Sequence, residues 1–375
     1  MTGTMRAAVW EAGSPLRVET IPIPVPRAGE ALVQVSACGV CHTDLHVMKG
    51  EVRFPSPAVL GHEISGRVVE IGLGTRPEQI PAGIELGDRV VGAFIMPCGT
   101  CRRCESGRDD LCERFFELNR LRGVLYDGTS RLERADGSSL AMYSMAGLAE
   151  YCVIPLTALA ALPHDLPEFE SAVLGCAGLT AFGAVHRASG ITEGDAVAVI
   201  AVGGIGLSIV QLARAAGAST VVAVDLDDAK LRMAADLGAT HTINARAESD
   251  PVAAVRALVP GGVDVAFEAI GTPATLAQAV AMLAEGGRAV AVGIAAGDAA
   301  VSIPITPLVR RAQSIVGSFG ARTRTDLPEV IRLSLEGRLS LADTVSRSYD
   351  LDEVAAAFDD LGRGAIAGRA IVRMR

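Results

Sequence analysis

The sequence predicts an α/β protein whose later half forms a doubly wound parallel sheet, and three observations carry that expectation. From about residue 178 short apolar runs alternate with helical stretches, a glycine-rich turn joins the first run to the first helix, and an aspartate closes the second run. Taken in order, DAVAVIAV (195–202) reads as a buried strand, GLSIVQLARAAGA (206–218) as a helix and STVVAVD (219–225) as the next strand. DDAKLRMAADLGA then reads as helix, HTIN as extended chain, VDVAFEAI (263–270) as strand and PATLAQAVAMLAEGG as helix. RAVAVGI (288–294) and SIVGSFG (314–320) supply the last two strands.

The turn is AVGGIG, residues 201–206. Against the dinucleotide fingerprint G-x-G-x-x-G, Gly203 and Gly206 match, Ala201 replaces the first glycine, and Gly204 and Ile205 fill the remaining places. Gly203 lets the backbone approach a pyrophosphate, and the helix starting near Gly206 points its free amides and positive dipole end at it. Asp225 can accept hydrogen bonds from an adenosine ribose and would repel a 2'-phosphate, which favours NAD over NADP. The same glycines also fit a turn that merely packs tightly.

Bulk properties narrow the class. At 375 residues and half apolar, the chain is long enough for about two domains with large cores. It contains no charge-free apolar run of membrane-spanning length, and MTGTMRAAVWEAG lacks the basic and apolar regions of a secretory leader, so a reduced cytoplasm is the expected setting. The net charge of -9 is spread without a basic block, which argues against nucleic acid and anionic membranes as partners.

In such a compartment clustered cysteines hold metal or do chemistry more often than they form disulfides. Cys98, Cys101, Cys104 and Cys112 follow C-x2-C-x2-C-x7-C, with Gly99 and Gly107 between them, inside a lobe at about 95–115. Four thiolates around one zinc ion leave no open position, which marks a structural site. Arg102, Arg103 and Arg108 offset part of the surplus negative charge. An iron–sulfur cluster is the rival reading, and unliganded surface thiols are the plain one.

A second donor set lies in CGVCHTDLHVMKGEVRFPSPAVLGHEISG (38–66), which holds Cys41, His42, Thr43, Asp44, His46, His62 and Glu63. VLGCAG adds Cys176. Cys41, His62 and Cys176 make a shell of two sulfurs and one imidazole with a vacant fourth corner, the mark of a catalytic zinc. Singly, each also fits a buried cysteine or a hydrogen-bonded histidine. Cys38 and Cys152 sit in strand-like sequence and read as core.

With GVCHTD, GHE, the four-cysteine lobe, LGCAG, AVGGIG and Asp225 in this order and spacing, the sequence resembles the zinc-dependent medium-chain alcohol dehydrogenases over essentially its whole length. The DGTSRL stretch and long lobe are similar to the liver-type subgroup. The resemblance implies a β-rich, chaperonin-10-like catalytic domain, 1–177 plus 321–375, with an NAD-binding Rossmann domain, 178–320, inserted in it and the substrate in the cleft between. It implies two zincs per chain, an alcohol or carbonyl compound as substrate, hydride transfer to the nicotinamide, and a homodimer or homotetramer built through the cofactor domain.

By position, Thr43 resembles the hydroxyl that hydrogen-bonds the reacting alcohol and passes its proton towards His46 and solvent, although a turn hydroxyl and a surface imidazole are the plain readings. Asp44 and Glu63 are placed to orient or tune the ligands. His42 stands where many relatives carry a pyrophosphate-facing arginine. Lys230 matches a ribose-side lysine and Arg369 a phosphate-contacting arginine, and Ile270 and Val292 are further cofactor-binding candidates. Phe94, Leu118 and Val292 are candidates for apolar pocket wall or core.

Three alternatives follow. The glutathione-dependent formaldehyde dehydrogenase branch uses an arginine just after the last structural cysteine, but Phe116 occupies that position here and Arg114 lies nearby. A zinc-stabilised nucleic-acid-binding protein predicts a basic face that the composition lacks. A zinc-free quinone reductase relative would lack Cys41, His62 and Cys176.

Overall fold

The computed structural model of the chain describes residues 3–295 and 297–374. Two compact units compose it: Met1–Leu179 with Arg322–Leu335 and Val345–Arg375, and Thr180–Ala321 with Glu336–Thr344.

The first unit is built on strand Glu30–Val40, whose alternate and intervening positions are nearly all buried because it lies centrally in a seven-stranded sheet. It pairs antiparallel with Ile64–Ile71, Tyr151–Pro155 and Arg369–Arg373. Register decides what meets at its end: Cys38 faces Ile64 across one ladder and Ala370 faces Val40 across the other. His62, Glu63, Cys41 and Arg369 are therefore delivered to one place from three segments far apart in the chain. A second, five-stranded sheet runs Arg17–Pro22, Thr4–Trp10, Ala58–Val59, Ser139–Met142, Leu132–Glu133. Cys38 and Cys152 are buried core residues, 0% and 1% exposed.

The cysteine lobe is tied to the helix Thr323–Leu335 of the same unit. Asp109, 2% exposed, accepts from Arg324 Nη2 at 2.7 Å and from its Nε at 3.1 Å, while Arg324 Nη2 also donates to the Cys104 carbonyl at 2.6 Å. Thr323 Oγ1 donates to Ile95 O at 2.8 Å.

The second unit is a six-stranded parallel sheet. Across it the strands run His241–Asn244, Thr220–Asp225, Ala196–Ile200, Val263–Glu268, Leu283–Ala291, Ser314–Gly317. The order reverses beside the first strand, which gives the doubly wound arrangement. Val197, Val199, Val221 and Val222 are fully buried, as near-continuous apolar strands covered on both faces must be. Helices without a counterpart in the sequence reading include Pro251–Leu258, capped by Asp250, and Ile305–Arg310. The helix expected to reach Gly287 stops at Met282, because Leu283 already pairs with Val263 across a register shift that opens the next strand early. Glu336–Thr344 joins this unit through Gln211, whose Oε1 accepts from Ser340 N (2.6 Å) and whose Nε2 donates to Thr344 Oγ1 (3.3 Å). Among the described residues no helix is long and apolar enough to cross a membrane.

Candidate active site

Cys41, extended at φ -124° and ψ 145°, ends the central strand and caps the short helix His42–Met48. Asp44 in the first turn of that helix is fully buried, and its Oδ1 accepts from Gly61 N at 3.0 Å and from His62 Nδ1 at 3.1 Å. One carboxylate oxygen thus holds both the turn and the imidazole tautomer. With Nδ1 committed to Asp44, Nε2 is the nitrogen left to a metal, and it is buried without a hydrogen-bond partner. Gly61 lies at φ +94°, where a Cβ would meet Leu148 N at 2.6 Å and Cys38 Sγ at 2.8 Å, so only glycine allows this approach.

Cys176 follows Gly175, whose added Cβ would overlap the carbonyl oxygen of Gly92 in the neighbouring strand. Cys41, His62, Glu63 and Cys176 each place one donor atom within 4.8 Å of the other three, and none of the four is more than 5% exposed. Two soft sulfurs and an unpartnered imidazole nitrogen in a dry site are a donor set that fits zinc.

Glu63 stands closer to the donors than an orienting residue needs to be. Room for its carboxyl exists because residue 39 is glycine; a Cβ there would overlap the carboxyl group. Arg369 forms an ion pair with Glu63 and is 5% exposed. The strand register brings its guanidinium to the buried carboxylate, which would otherwise be an unpaired charge, and this pairing stands beside the phosphate contact expected of Arg369.

The charges interlock. Cys41 is held well below the ordinary thiol range, chiefly because the Cys176 S–H donates to it, with His62 and Arg369 adding to this against the effect of burial. Burial disfavours the imidazolium of His62, but Asp44 and Cys41 outweigh it and raise His62 to about 9. These are the protons and charges that a dication would replace. Around them stand Phe94, edge-on to His62 at 6.1 Å, and Tyr143 at 5.8 Å.

The lobe is a different kind of site. All four sulfurs lie within 4.8 Å of one another, with Cys98–Cys104 and Cys101–Cys112 each 4.0 Å apart. A tetrahedral zinc with ordinary Zn–S bonds sets its sulfurs about 3.8 Å apart, so the fit is close. Backbone amides aim at the sulfurs: Cys98 N at Cys112 Sγ and Cys101 N at Cys98 Sγ, both 3.3 Å, and Phe115 N at Cys112 Sγ, 3.4 Å. Burial opposes ionisation of Cys101, yet backbone N–H groups and neighbouring thiols bring it down to about 6.

Comparison with known proteins agrees with this chemistry. Residues 27–164 match the alcohol dehydrogenase GroES-like domain and residues 204–336 the zinc-binding dehydrogenase domain. The chain is 36% identical to an S-(hydroxymethyl)glutathione dehydrogenase of Synechocystis sp., over 94% of this chain and 95% of that one. Among solved structures it resembles an alcohol dehydrogenase zinc-binding domain protein from Burkholderia ambifaria (34% identity, TM-score 0.92) and a benzyl alcohol dehydrogenase from Acinetobacter calcoaceticus (30%, 0.91), each over the full length of both chains. The chain belongs to the zinc-dependent medium-chain alcohol dehydrogenase family. It is an enzyme, a zinc-dependent oxidoreductase that exchanges hydride between NAD(H) and a small-molecule alcohol or its carbonyl partner.

In the dinucleotide unit of this dehydrogenase, Ala201 sits at φ +69°, the left-handed conformation that the motif's first glycine would adopt freely. Gly206 is required, because a Cβ there would overlap the Ala201 carbonyl; at Gly203 a Cβ would meet nothing within 4 Å, which leaves open space for an approaching ligand. Gly204 and Ile205 are half-buried at the start of helix Gly204–Ala215. Asp225 Oδ2 accepts from Val202 N at 2.9 Å and Oδ1 from Leu226 N at 2.7 Å, so the turn itself orients the carboxylate. Lys230 is half-buried on helix Asp228–Asp236, Ile270 is 51% exposed past the end of its strand, and Val292 is 6% exposed.

Beside the Cys41–His62–Cys176 donor set of the dehydrogenase, Thr43 Oγ1 lies 3.5 Å from Cys41 Sγ and is half-buried. His42 is exposed, with its ring 6.5 Å from that of His46. His46 Nδ1 pairs with Glu51, whose backbone N also donates to His46 O at 2.9 Å. Leu118 is half-buried on the turn Phe115–Arg120, whereas Phe94 is 7% exposed. Sequence reasoning missed Glu51 and the Glu63–Arg369 pair, since neither a five-residue step nor a separation of some three hundred residues leaves a periodic signal.

Proposed function

We propose that Cys41, His62 and Cys176 hold the catalytic zinc, that Cys98, Cys101, Cys104 and Cys112 hold a structural one, and that the enzyme oxidises primary or secondary alcohols with NAD. The observation that carries this reading is the buried, unpartnered Nε2 of His62 beside two sulfurs, its other nitrogen fixed by Asp44. When bound, the zinc supplies Lewis acidity at the alcohol oxygen and the nicotinamide accepts the hydride. The chain's own residues do the rest. Asp44 keeps the imidazole oriented, and the Arg369–Glu63 pair holds charge beneath the ligands. Thr43 accepts the hydroxyl proton's hydrogen bond and His46 delivers that proton to solvent. Ala201 to Gly206 cradle the pyrophosphate, to which His42 is a further contact, while Asp225 and Lys230 face the adenosine ribose. Val292, Ile270 and Arg369 complete the cofactor-binding set.

The domain division that goes with this reading is 1–177 plus 321–375 for catalysis and 178–320 for the cofactor. A homodimer or homotetramer in the cytoplasm completes it. Exposed Ile305, Val309 and Ile315, at and beside the edge strand Ser314–Gly317, support pairing through that edge. The relatives named for S-(hydroxymethyl)glutathione suggest a second substrate reading. Against it, Phe116 packs on Phe115 at 5.4 Å and Arg114 donates to the Tyr126 carbonyl, so neither presents a guanidinium from the expected position.

A screen of alcohols and carbonyl compounds with NAD(H) and NADP(H), together with a zinc count, tests the reading. Two zincs per chain and NAD-linked turnover are expected. Asp225→Gly should narrow the preference for NAD(H) over NADP(H), because it removes the charge that repels the extra phosphate. A count of one zinc, or equal use of both cofactors by the unaltered enzyme, would remove the corresponding part.

A further inference from the structure

The stretch Tyr143–Leu148 is an irregular segment with no access to solvent: Tyr143, Ser144, Met145 and Leu148 are 0% exposed and Ala146 is 1%. Connecting segments ordinarily run over the surface, because a buried one must find a partner inside the protein for each backbone polar group. Here the partners lie on the segment that leads into His62. Tyr143 N donates to Val59 O at 3.0 Å, Leu148 N to Leu60 O at 3.0 Å and Gly147 N to Gly61 O at 2.8 Å. Gly147 comes this near because it lacks a Cβ, which would overlap Ile64 Cγ2. Ser144 at φ +54° and Ala146 at φ +59° hold the left-handed conformation without being glycine, a costly backbone state that persists where the surroundings over-determine it and that gathers at functional sites.

Two side chains impose that state. Asn119, fully buried on the turn Phe115–Arg120, donates through Nδ2 to Met142 O at 3.2 Å and to Ser144 O at 3.0 Å, so its carboxamide straddles Tyr143. Its Oδ1 is buried without a hydrogen-bond partner. A carboxamide kept in a dry interior with its oxygen idle is there for its two N–H donors, since an apolar side chain of the same shape would avoid the cost. Ser144 Oγ donates to Phe94 O at 2.7 Å, and Phe94 N donates at 3.0 Å to the carbonyl of Gly175, the residue before Cys176. The loop therefore reaches the approach to two ligands, to His62 directly and to Cys176 through Phe94.

The same bonds set two rings on His62. Tyr143 meets the imidazole edge-on at 75° with centroids 5.8 Å apart, and Phe94 at 73° and 6.1 Å. Asp44 fixes where Nδ1 sits, yet a single hydrogen bond leaves the imidazole free to pivot about it, and two edge-on rings remove that freedom. Resting on the alcohol dehydrogenase reading above, we propose that Asn119 and Ser144 are positioning residues for the open site. Through the loop they stiffen, they hold the His62 imidazole in the orientation that aims Nε2 at the metal, and they keep the Cys176 segment in register with it.

The test uses the full enzyme loaded with zinc and, in parallel, with cobalt(II) in the open site, where visible absorption reports ligand geometry. Asn119→Leu, close in size but without donors, should weaken zinc binding at the open site about tenfold, read by competition with a chelator. It should also shift the cobalt absorption and lower kcat with KM for NAD near normal, while the lobe keeps its zinc. Ser144→Ala should do the same by a smaller factor. A loop that serves stability alone would move the denaturant midpoint and neither metal readout. If both variants leave open-site zinc affinity and cobalt absorption as in the unaltered enzyme, the positioning role is overturned and the dehydrogenase reading stands. Should Asn119→Leu fail to fold, Ser144→Ala decides by the same two readouts. An unaltered enzyme whose zinc count does not fall in Cys41→Ser overturns the reading and the proposal together.

Discussion

The two sulfur-rich sites of the first unit solve different problems with the same element. The lobe draws four sulfurs from residues 98–112, closes the shell, and feeds backbone amides to the sulfurs from within its own loops. The second site draws Cys41, His62 and Cys176 from strand end, turn and helix entry, buries them, and fixes the imidazole from behind through Asp44. A local closed shell can fold wherever its loop is placed, because its geometry is set by a short stretch of chain. An open shell needs a rigid surround, since nothing but the protein keeps the vacant corner from collapsing.

Substitutions should separate the two sites along this line. Cys41→Ser removes a ligand that no local loop can replace. Turnover is expected to fall by at least about a thousandfold while NADH binding, read by fluorescence, stays near normal, and the zinc count falls by one. A variant that retains most of its kcat would undo the assignment of the open site.

Cys112→Ser should act on the other quantity. The lobe zinc is expected to be lost, with several kcal/mol of stability, because metal binding free energy is folding free energy in such loops. Denaturant titration with a metal assay checks this, and an unchanged midpoint would show that the lobe stands without its ion.

Asp44→Asn probes the support rather than the ligands. It leaves every donor in place but weakens the hold on His62 Nδ1, and activity or zinc affinity at the open site should drop roughly ten- to a hundredfold. Lobe zinc should be unaffected. Equal loss at both sites would mean that Asp44 supports the whole unit and not the one ligand.

The smallest effect is expected from Arg324→Gln, which frees the lobe from its anchoring helix. Asp109 would keep the Arg324 backbone amide but lose the side-chain donors, a cost of roughly 1–2 kcal/mol after allowing for the partial exposure of the arginine. Faster hydrogen exchange in 98–112, with kcat nearly unchanged, is the outcome that fits a local anchor.

How far the sequence could be read follows the same division. The strand-and-helix alternation of the second unit and the AVGGIG turn are periodic or contiguous signals, and the sheet order bears them out. The reading failed where pairing across strands overrode local pattern: Leu283 to Gly287 have helical context but join the next strand because Leu283 is held against Val263. Ala201 shows a motif departure absorbed in the backbone, the alanine adopting the conformation of the glycine it replaces.

By itself the sequence determined which residues could bind metal and dinucleotide, since reach along a short stretch limits the geometry that four cysteines or one turn can take. The tertiary structure decided the company they keep. Register between the strands Glu30–Val40 and Arg369–Arg373 brought Arg369 to Glu63, the absence of a Cβ at Gly39 admitted that carboxyl, and the rings of Tyr143 and Phe94 packed edge-on against His62. Such neighbours are joined through space by strand pairing and side-chain packing, and no spacing along the chain encodes them.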